Sequence, residues 1–310
     1  MDPITDILVI VNPLIRDQPA IAKATTLARR LGAAIELLIC NTASSREAHL
    51  EGALPPISNA LLNDNLDMLI EEIAEPLRDD GIDVSTHIIS GDPLHSTVIS
   101  WMRNSPADLV VKDTHHHSFA KRAFTTNTDW HLIRDCPVPL LLVKPKVWAQ
   151  PPVIMAAVDP GHPQDPAAAL DQRILDVATS IARRFETQAH AMHVYLRSAI
   201  ALAAVGGMPV VSVSAAARET EQALERSRIT RWTDIYAVPD ANLHVDPGLA
   251  AECLPRLAAE CRADIVVMGA LSRSDLKRTL IGSTAERALE AMPCDVLLVK
   301  PPDDARNLPF

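Results

Sequence analysis

The sequence predicts an α/β protein made of two tandem, doubly wound parallel-sheet domains. The first observation behind this prediction is an internal repeat, in which residues 108–145 align with residues 264–301 without a gap at an offset of 156 (264 minus 108). Residues 17–30 also match residues 171–184, at an offset of 154 (171 minus 17). The second observation is that short apolar segments alternate with longer helical patterns in the same order in both halves. Such alternation favours βαβ crossovers and a parallel sheet buried on both faces.

Each predicted element rests on its length and on the spacing of its apolar residues. Short, nearly continuous apolar segments predict strands at 6–12, 33–40, 83–90, 108–112, 139–143, 153–159, 188–195, 242–246, 264–268 and 295–299. Longer amphipathic or polar segments between them predict helices at 17–31, 59–80, 94–104, 127–135, 166–185, 214–237, 249–262 and 283–291. In such a fold, ligands bind beyond the carboxyl ends of the strands, at the point where the strand order reverses.

The join between the two repeats falls near residues 146–152, "KVWAQPP". A chain of 310 residues is also expected to hold about two domains of roughly 150 residues each. We therefore expect a first domain over residues 1–147 and a second domain over residues 152–310.

Composition and charge restrict the class of protein. With 48% hydrophobic and 22% charged residues, the chain has enough apolar side chains for an ordinary core. A formal net charge of -10 argues against a general electrostatic grip on nucleic acid or on an anionic membrane. The five cysteines form no CxxC pair, and residues 1–13 lack the features of a signal peptide, so we expect a cytoplasmic protein. The most apolar segment, residues 199–211, is too short to span a bilayer.

Residues suited to ligand binding fall at two predicted strand ends of the second half. Asp159 closes the first strand, and Gly269 closes the fourth. The loop after Gly269 continues with small or hydroxyl-bearing residues at Ser272, Gly282, Ser283 and Thr284, the last two of which begin a helix. Small residues let the backbone approach a ligand, and a helix N-terminus offers free N–H groups to a phosphate. Read alone, the same loop is also typical of turn glycines and a serine N-cap.

The segment from Val266 to Lys300, "VVMGALSRSDLKRTLIGSTAERALEAMPCDVLLVK", resembles the C-terminal signature of the universal stress protein family. Nucleotide-binding members of that family carry a G-x2-G-x9-G-[ST] loop and an aspartate at the end of strand one. The duplication, the chain length and the segment at residues 124–144 together resemble the tandem, two-domain E-type members found in bacteria. The resemblance covers essentially the whole chain. It implies an adenine nucleotide alpha hydrolase-like fold in each half.

The resemblance also implies roles for individual residues of the second half. Asp159 would face the adenine side of a pocket, and Val194 would line that pocket from the second strand. The ribose and phosphates would be surrounded by Met268, Gly269, Ser272, Gly282, Ser283 and Thr284. ATP or AMP, accompanied by Mg²⁺, would then be a ligand without being a required cofactor. Ser272 departs from the family loop, which has a second glycine there, and its Cβ restricts φ.

Family members commonly dimerise through their last strands. The resemblance therefore implies that "LLLVK" at residues 140–144 and "LLVK" at residues 297–300 pair the two halves around a pseudo-two-fold axis. Two oligomeric states stay open at this point: a monomer with pseudo-dimeric halves, and a homodimer.

The first half carries different residues at the positions that the resemblance assigns to a nucleotide. Asn12 replaces the aspartate of strand one, and the loop positions hold Asp113, His116, Thr126 and Asn127. Bulky residues there close the approach of the backbone, and a carboxylate repels a triphosphate. We therefore expect the first half not to bind ATP in the family manner.

The histidine run at residues 115–117 has two interpretations. Neighbouring side chains diverge, so a metal would need further ligands such as Asp113 or His131. A polar loop is the favoured interpretation, and we predict no metal site. The histidines on the predicted strands of the second half are expected to be core or interface residues, namely His190, His193 and His244.

An apolar insertion at residues 198–213 separates the second strand of the second half from its long helix. Apolar residues in a connecting loop are unexpected unless they cover something or are covered. The insertion is therefore interpreted either as a lid on the protein itself or as the wall of a pocket for an amphiphilic, lipid-like ligand.

No catalytic constellation is present, since the chain lacks G-x-S-x-G, HExxH and GxxxxGK[ST] motifs. The favoured function is a non-enzymatic stress-response module that senses a small ligand or binds protein partners. The alternatives are a weak ATPase in the second half and a partner-binding protein with both pockets vestigial. General nucleic-acid binding and a membrane span are not expected.

Overall fold

The computed structural model describes residues 3–15, 17–42, 59–114, 127–160, 167–197, 214–269 and 283–301. Within these ranges the chain forms ten strands and eight α-helices in alternation. The chain divides into two compact units, Asp2–Val147 and Trp148–Pro309. Each unit contains a parallel arrangement of five strands with helices packed against it. The predicted fold class, a tandem pair of doubly wound α/β folds, is confirmed.

The first unit alternates strands and helices along the chain. Its elements are β1 (Asp6–Val11), α1 (Pro19–Leu31), β2 (Ala34–Asn41), α2 (Asn59–Asp79), β3 (Val84–Ser90), α3 (Leu94–Met102), β4 (Leu109–Asp113), α4 (Asn127–Asp135) and β5 (Leu140–Val143). The strands lie in the order β3-β2-β1-β4-β5 and every neighbouring pair is parallel. The order reverses between β1 and β4, which places a crevice at their carboxyl ends.

The second unit repeats this arrangement. Its elements are β6 (Ile154–Ala157), α5 (Ala167–Arg184), β7 (His190–Tyr195), α6 (Ala215–Ile235), a 3₁₀ turn (Asp240–Asn242), β8 (Leu243–Pro247), α7 (Ala250–Glu260), β9 (Ile265–Gly269), α8 (Ser283–Ala291) and β10 (Asp295–Val299). The order β8-β7-β6-β9-β10 is again parallel throughout. Here the order reverses between β6 and β9, so the corresponding crevice lies where these two strands end.

The first strand of the second unit is shorter than the sequence predicts. β6 ends at Ala157 instead of continuing to Asp159. The Val158 N–H still donates to the Met192 carbonyl at 3.0 Å, whereas the Asp159 N–H donates to Asp171 Oδ1 at 3.1 Å. The chain therefore leaves the strand ladder at Asp159, because a side chain of α5 takes over its N–H group.

Aliphatic side chains form the core, because parallel strands are covered on both faces. Strands β4, β5 and β10 are buried along their whole length. An aspartate shared by the two repeats holds the strand entrances together: Asp108 Oδ2 accepts the Thr5 N–H at 2.7 Å, and Asp264 Oδ2 accepts the Val153 N–H at 3.0 Å. In both units the carboxylate before the fourth strand thus fixes the start of the first strand.

Trp148 comes from the predicted join between the repeats, and it packs into the second unit. Its Nε1–H donates to Asp295 Oδ2 at 2.7 Å, and both residues are buried. Its ring meets that of Phe185 edge to face, with the ring centroids 6.2 Å apart. Trp148 is therefore part of the folded core of the second unit.

None of the helices in the described ranges has the length and apolar character needed to cross a membrane.

Candidate functional site

The carboxyl ends of three adjacent strands carry four of the predicted site residues. Asp159 follows β6, Val194 lies near the end of β7, and Met268 and Gly269 close β9. β6 pairs with both β7 and β9, so these residues share one edge of the sheet at the point where the strand order reverses. α8 begins at Ser283 and continues through Thr284. Two further predicted residues, Ser272 and Gly282, lie outside the described residues.

The surfaces around this edge differ in polarity. The Asp159 side chain is 40% exposed, so its carboxylate is open to solvent. Val194 is half-buried and Met268 is buried. The edge therefore combines one accessible carboxylate with apolar side chains, which suits a flat ring that carries a hydrogen-bond donor.

Gly269 has a packing role at this edge. A Cβ at this position would lie 2.7 Å from Leu170 Cδ2 of α5. The glycine therefore lets α5 approach the end of β9. Close packing of a helix is thus a sufficient reason for its small size.

Beneath Asp159 lies a row of ionisable side chains that the sequence interpretation missed. His193 Nδ1 is 4.0 Å from Asp159 Oδ1, and His193 Nε2 is 3.5 Å from Glu225 Oε2 of α6. Glu225 Oε1 in turn pairs with Arg228 Nη1 at 2.6 Å. His193 is 2% exposed, in agreement with its predicted core location. The one sequence signal that could have placed His193 at the site is that it directly precedes Val194.

The equivalent edge of the first unit is arranged differently. Asn12 follows β1, and its side chain turns back on its own loop, where Oδ1 accepts the Leu14 N–H at 3.0 Å. Asp113 closes β4 and is buried, and its Oδ1 accepts the Ala20 N–H at the start of α1 at 2.9 Å. An anion at a helix N-terminus is favourable, so this carboxylate stabilises α1. Asn127 begins α4, while His116 and Thr126 lie outside the described residues.

A buried ion pair is another feature that the first unit has and the second unit lacks at the equivalent positions. Lys112 Nζ lies 2.7 Å from Asp129 Oδ1, and the two side chains are 7% and 0% exposed. The same ammonium donates to the Asp113 carbonyl at 2.9 Å. At the repeat offset of 156, the second unit holds Met268 and Ala285 in these places. The first unit therefore has two opposite charges where the second unit has two apolar residues.

A histidine pair occupies the amino-terminal side of the second sheet, away from the candidate site. His190 of β7 and His244 of β8 have Nδ1 and Nε2 in hydrogen-bond contact at 3.0 Å. Burial lowers the pKa of both imidazoles, and the facing His244 and the Arg226 guanidinium, respectively, lower them further. No cluster in the described ranges has the side chains to hold a metal ion. The run at residues 115–117 and the insertion at residues 198–213 lie outside those ranges.

The histidine pair predicts a loss of stability in mild acid. Because the pKa values of both imidazoles are lowered in the folded state, the unfolded chain binds more protons once the pH falls below its ordinary histidine pKa of about 6.5. The stability contribution is therefore complete above that pH, and it is lost as the pH falls through the lowered pKa values of the folded state. Urea unfolding of His190→Gln should show a shallower decline between about pH 7 and pH 5 than the unaltered protein. Equal slopes for the two proteins would contradict this assignment.

In comparison with known proteins, one family model matches the chain twice. The model of the universal stress protein family matches residues 3–144 and again residues 153–300. Universal stress protein E of Salmonella typhi is 26% identical over 310 residues, covering 96% of this chain and 94% of the relative. The universal stress protein E homolog of Haemophilus influenzae is 25% identical, covering 96% and 97%.

Solved structures agree with this assignment of the fold. A functionally unknown protein from Pseudomonas aeruginosa PAO1 aligns with a TM-score of 0.73 at 28% identity, covering 98% of this chain and 95% of that chain. A universal stress protein from Archaeoglobus fulgidus aligns with a TM-score of 0.65 at 16% identity, covering 96% and 97%, which supports the fold alone. Because the family model matches both halves in succession, the chain belongs to the universal stress protein family, in the tandem form that the resemblance to E-type members predicts.

Proposed function

We propose that the chain is a non-enzymatic, cytoplasmic stress-response protein whose second domain, residues 152–310, binds an adenine nucleotide, ATP or AMP. Membership in the universal stress protein family supports the stress-response role. The proposal assigns residues 1–147 to a first domain that does not bind nucleotide. Ligand occupancy of the second domain would then be the signal that protein partners read.

One observation carries the nucleotide proposal: the exposed Asp159 carboxylate stands beside apolar side chains at the strand-order reversal of the second unit. A carboxylate accepts hydrogen bonds, so Asp159 suits the exocyclic amine of adenine. Val194 and Met268 supply apolar contact for the ring. Ser272, Gly282, Ser283 and Thr284 are proposed around the phosphates, with the N-terminus of α8 as the anion site. Mg²⁺ would accompany the phosphates.

The first unit supports the same proposal by contrast. Asn12 stands in the place of Asp159, and its side chain is engaged within its own loop. Asp113, in the place of Gly269, presents a carboxylate to the start of α1. A phosphate would meet a like charge there, which opposes binding. The two halves thus differ in the chemistry of this strand edge as well as in sequence.

Replacing Asp159 tests this function. Asp159→Ala removes the acceptor for the amine, and a hydrogen bond to a charged group contributes about 1.5–3 kcal/mol. Isothermal titration with ATP and with AMP, each with and without Mg²⁺, should show affinity reduced about 10- to 100-fold. Asn12→Ala, the matched change in the first unit, should leave the affinity unaltered. Equal loss in both variants, or no binding by the unaltered protein, would refute the proposal.

Turnover is the measurement that separates a binding protein from a weak ATPase. The universal stress protein family is generally regarded as non-catalytic. We expect no release of phosphate from Mg-ATP above the rate of the Asp159→Ala variant. Release that depends on Asp159 would assign ATPase activity to the second domain instead.

An amphiphilic, lipid-like ligand is the second candidate. Leu196 follows β7 and Leu249 follows β8, and they are 52% and 53% exposed at the carboxyl edge of the second sheet. Leu196 directly precedes the apolar insertion at residues 198–213, which lies outside the described residues. Exposed leucines at this edge suit an acyl chain. Native mass spectrometry of the purified protein would distinguish a retained nucleotide from a retained lipid.

A further inference from the structure

The row of ionisable side chains at Asp159 consists of Asp159, His193, Glu225 and Arg228. It runs from the exposed carboxylate, through a buried imidazole, to a carboxylate and a guanidinium of α6. Burial of a charged or polar group costs free energy unless partners offset it. The row therefore calls for a reason beyond simple packing.

The hydrogen-bond roles of His193 follow from its partners. The Val158 carbonyl can only accept, so His193 Nδ1, 3.2 Å away, carries a hydrogen and donates it. The same nitrogen lies 4.0 Å from Asp159 Oδ1, which is near enough for an electrostatic interaction but too far for a hydrogen bond. On the other side of the ring, Nε2 makes no hydrogen bond within the described part of the chain and faces Glu225. The imidazole thus fixes the carbonyl of the residue before Asp159 and lies beneath the Asp159 carboxylate.

The first unit shows that the fold does not need this histidine. At the repeat offset of 154, the position of His193 corresponds to Ile39 of β2, which is fully buried. β2 pairs normally with its neighbours on both sides with isoleucine there. That unit also has Asn12 in the place of Asp159. The histidine and the aspartate therefore occur together, in the unit that carries the glycine-containing loop.

We propose that His193 is a positioning residue, which holds the Asp159 carboxylate in the orientation that accepts the exocyclic amine of an adenine base. This inference rests on the proposed function of the second domain. Asp159 follows the end of β6 and its side chain is partly exposed, so fixing the adjacent Val158 carbonyl limits the rotamers that this side chain samples. Fixing it in advance removes part of the entropy cost of binding. Glu225, which is paired with Arg228, lies on the other side of the imidazole and belongs to α6.

Base selectivity is the measurement that separates positioning from general support of the fold. ITP carries an oxygen where ATP carries the amine, and an N1–H where ATP has an acceptor, so the affinity ratio of ATP to ITP reports recognition of the base edge that Asp159 is proposed to contact. We expect a ratio of about 10 for the unaltered protein, from one charge-assisted hydrogen bond. His193→Ile, which introduces the residue of the first unit, should lower the ratio to about 2 or less. His193→Gln keeps an N–H donor and should retain an intermediate ratio.

His190→Gln is the matched control, because it removes an imidazole from the amino-terminal end of the same strand. It should keep the ratio of the unaltered protein. A ratio that is unchanged in His193→Ile, or that falls equally in His190→Gln, would overturn the inference. Circular dichroism verifies the fold of each variant, and His193→Gln carries the test if His193→Ile does not fold.

A ligand-free experiment keeps the inference separate from the proposed function. Three-bond NMR couplings of Asp159 should report one χ1 rotamer in the unaltered protein and in His190→Gln, but averaging in His193→Ile. If the unaltered protein binds neither nucleotide, the proposed function fails, and these couplings still decide whether His193 positions Asp159. A single, unchanged rotamer in His193→Ile would refute the positioning role.

Discussion

Lys112→Met is expected to lower the free energy of unfolding by about 3–5 kcal/mol, because it leaves the Asp129 carboxylate buried without its counter-charge. The Asp129 side chain is fully buried, so water cannot replace the lost ammonium. The substitution also removes the donor to the Asp113 carbonyl. Urea unfolding followed by circular dichroism measures the loss.

The double variant Lys112→Met/Asp129→Ala is the control that the chain itself supplies. It installs the residues of the second unit, Met268 and Ala285, at the equivalent positions of the first. Replacing both members of a buried ion pair is often close to neutral, so most of the lost stability should return. A double variant as unstable as Lys112→Met would show that the pair is not the cause. The single variant Asp129→Ala completes a double-mutant cycle, which measures the coupling free energy of the two charges.

Trp148→Ala is expected to destabilise the second unit by about 3–5 kcal/mol, which is typical of removing a buried aromatic side chain. The indole fills space beside Phe185 and donates a hydrogen bond to the buried Asp295 carboxylate. Its loss would leave a cavity and would also remove that donor. Urea unfolding and limited proteolysis at residues 146–152 both report the effect.

Trp148→Phe divides this effect into its two causes. Phenylalanine keeps most of the apolar volume but has no N–H group, so only the hydrogen bond to Asp295 is lost. We expect the free energy of unfolding to fall by about 1–3 kcal/mol, because a buried hydrogen-bond acceptor loses one of its donors. If Trp148→Ala unfolds no more easily than Trp148→Phe, the cavity contributes nothing and the packing argument is wrong.

The fold could be predicted because its signals are local and occur twice. Apolar segments such as residues 108–112 predict buried strands, and the repeat at an offset of 156 predicts the same element at residues 264–268. Parallel order follows from the alternation of strands and helices. The sequence predicted that β6 extends to Asp159, two residues beyond its observed end. The Asp159 N–H bonds to a side chain of α5, and the hydrophobic pattern does not indicate such a contact.

The chemistry of the site was less accessible to sequence, because it depends on contacts between distant residues. Lys112 meets Asp129 only once α4 has packed beside β4. His193 meets Glu225 only through the placement of α6 against β7. The repeat does mark such positions, since Lys112 aligns with Met268 and Ile39 with His193. It shows that the halves differ there, while the partner in each case comes from the structure.

Asp113 affects how the stability of each half depends on the concentration of nucleotide in the cell. Its carboxylate occupies the start of α1 as a covalent part of the chain, so that anion is present at a constant effective concentration. A bound nucleotide, by contrast, stabilises a fold only in proportion to the logarithm of its free concentration. If the second domain binds nucleotide, its stability rises and falls with supply, while that of the first domain does not. The first domain would thus have a constant stability, while the stability of the second would depend on the nucleotide concentration.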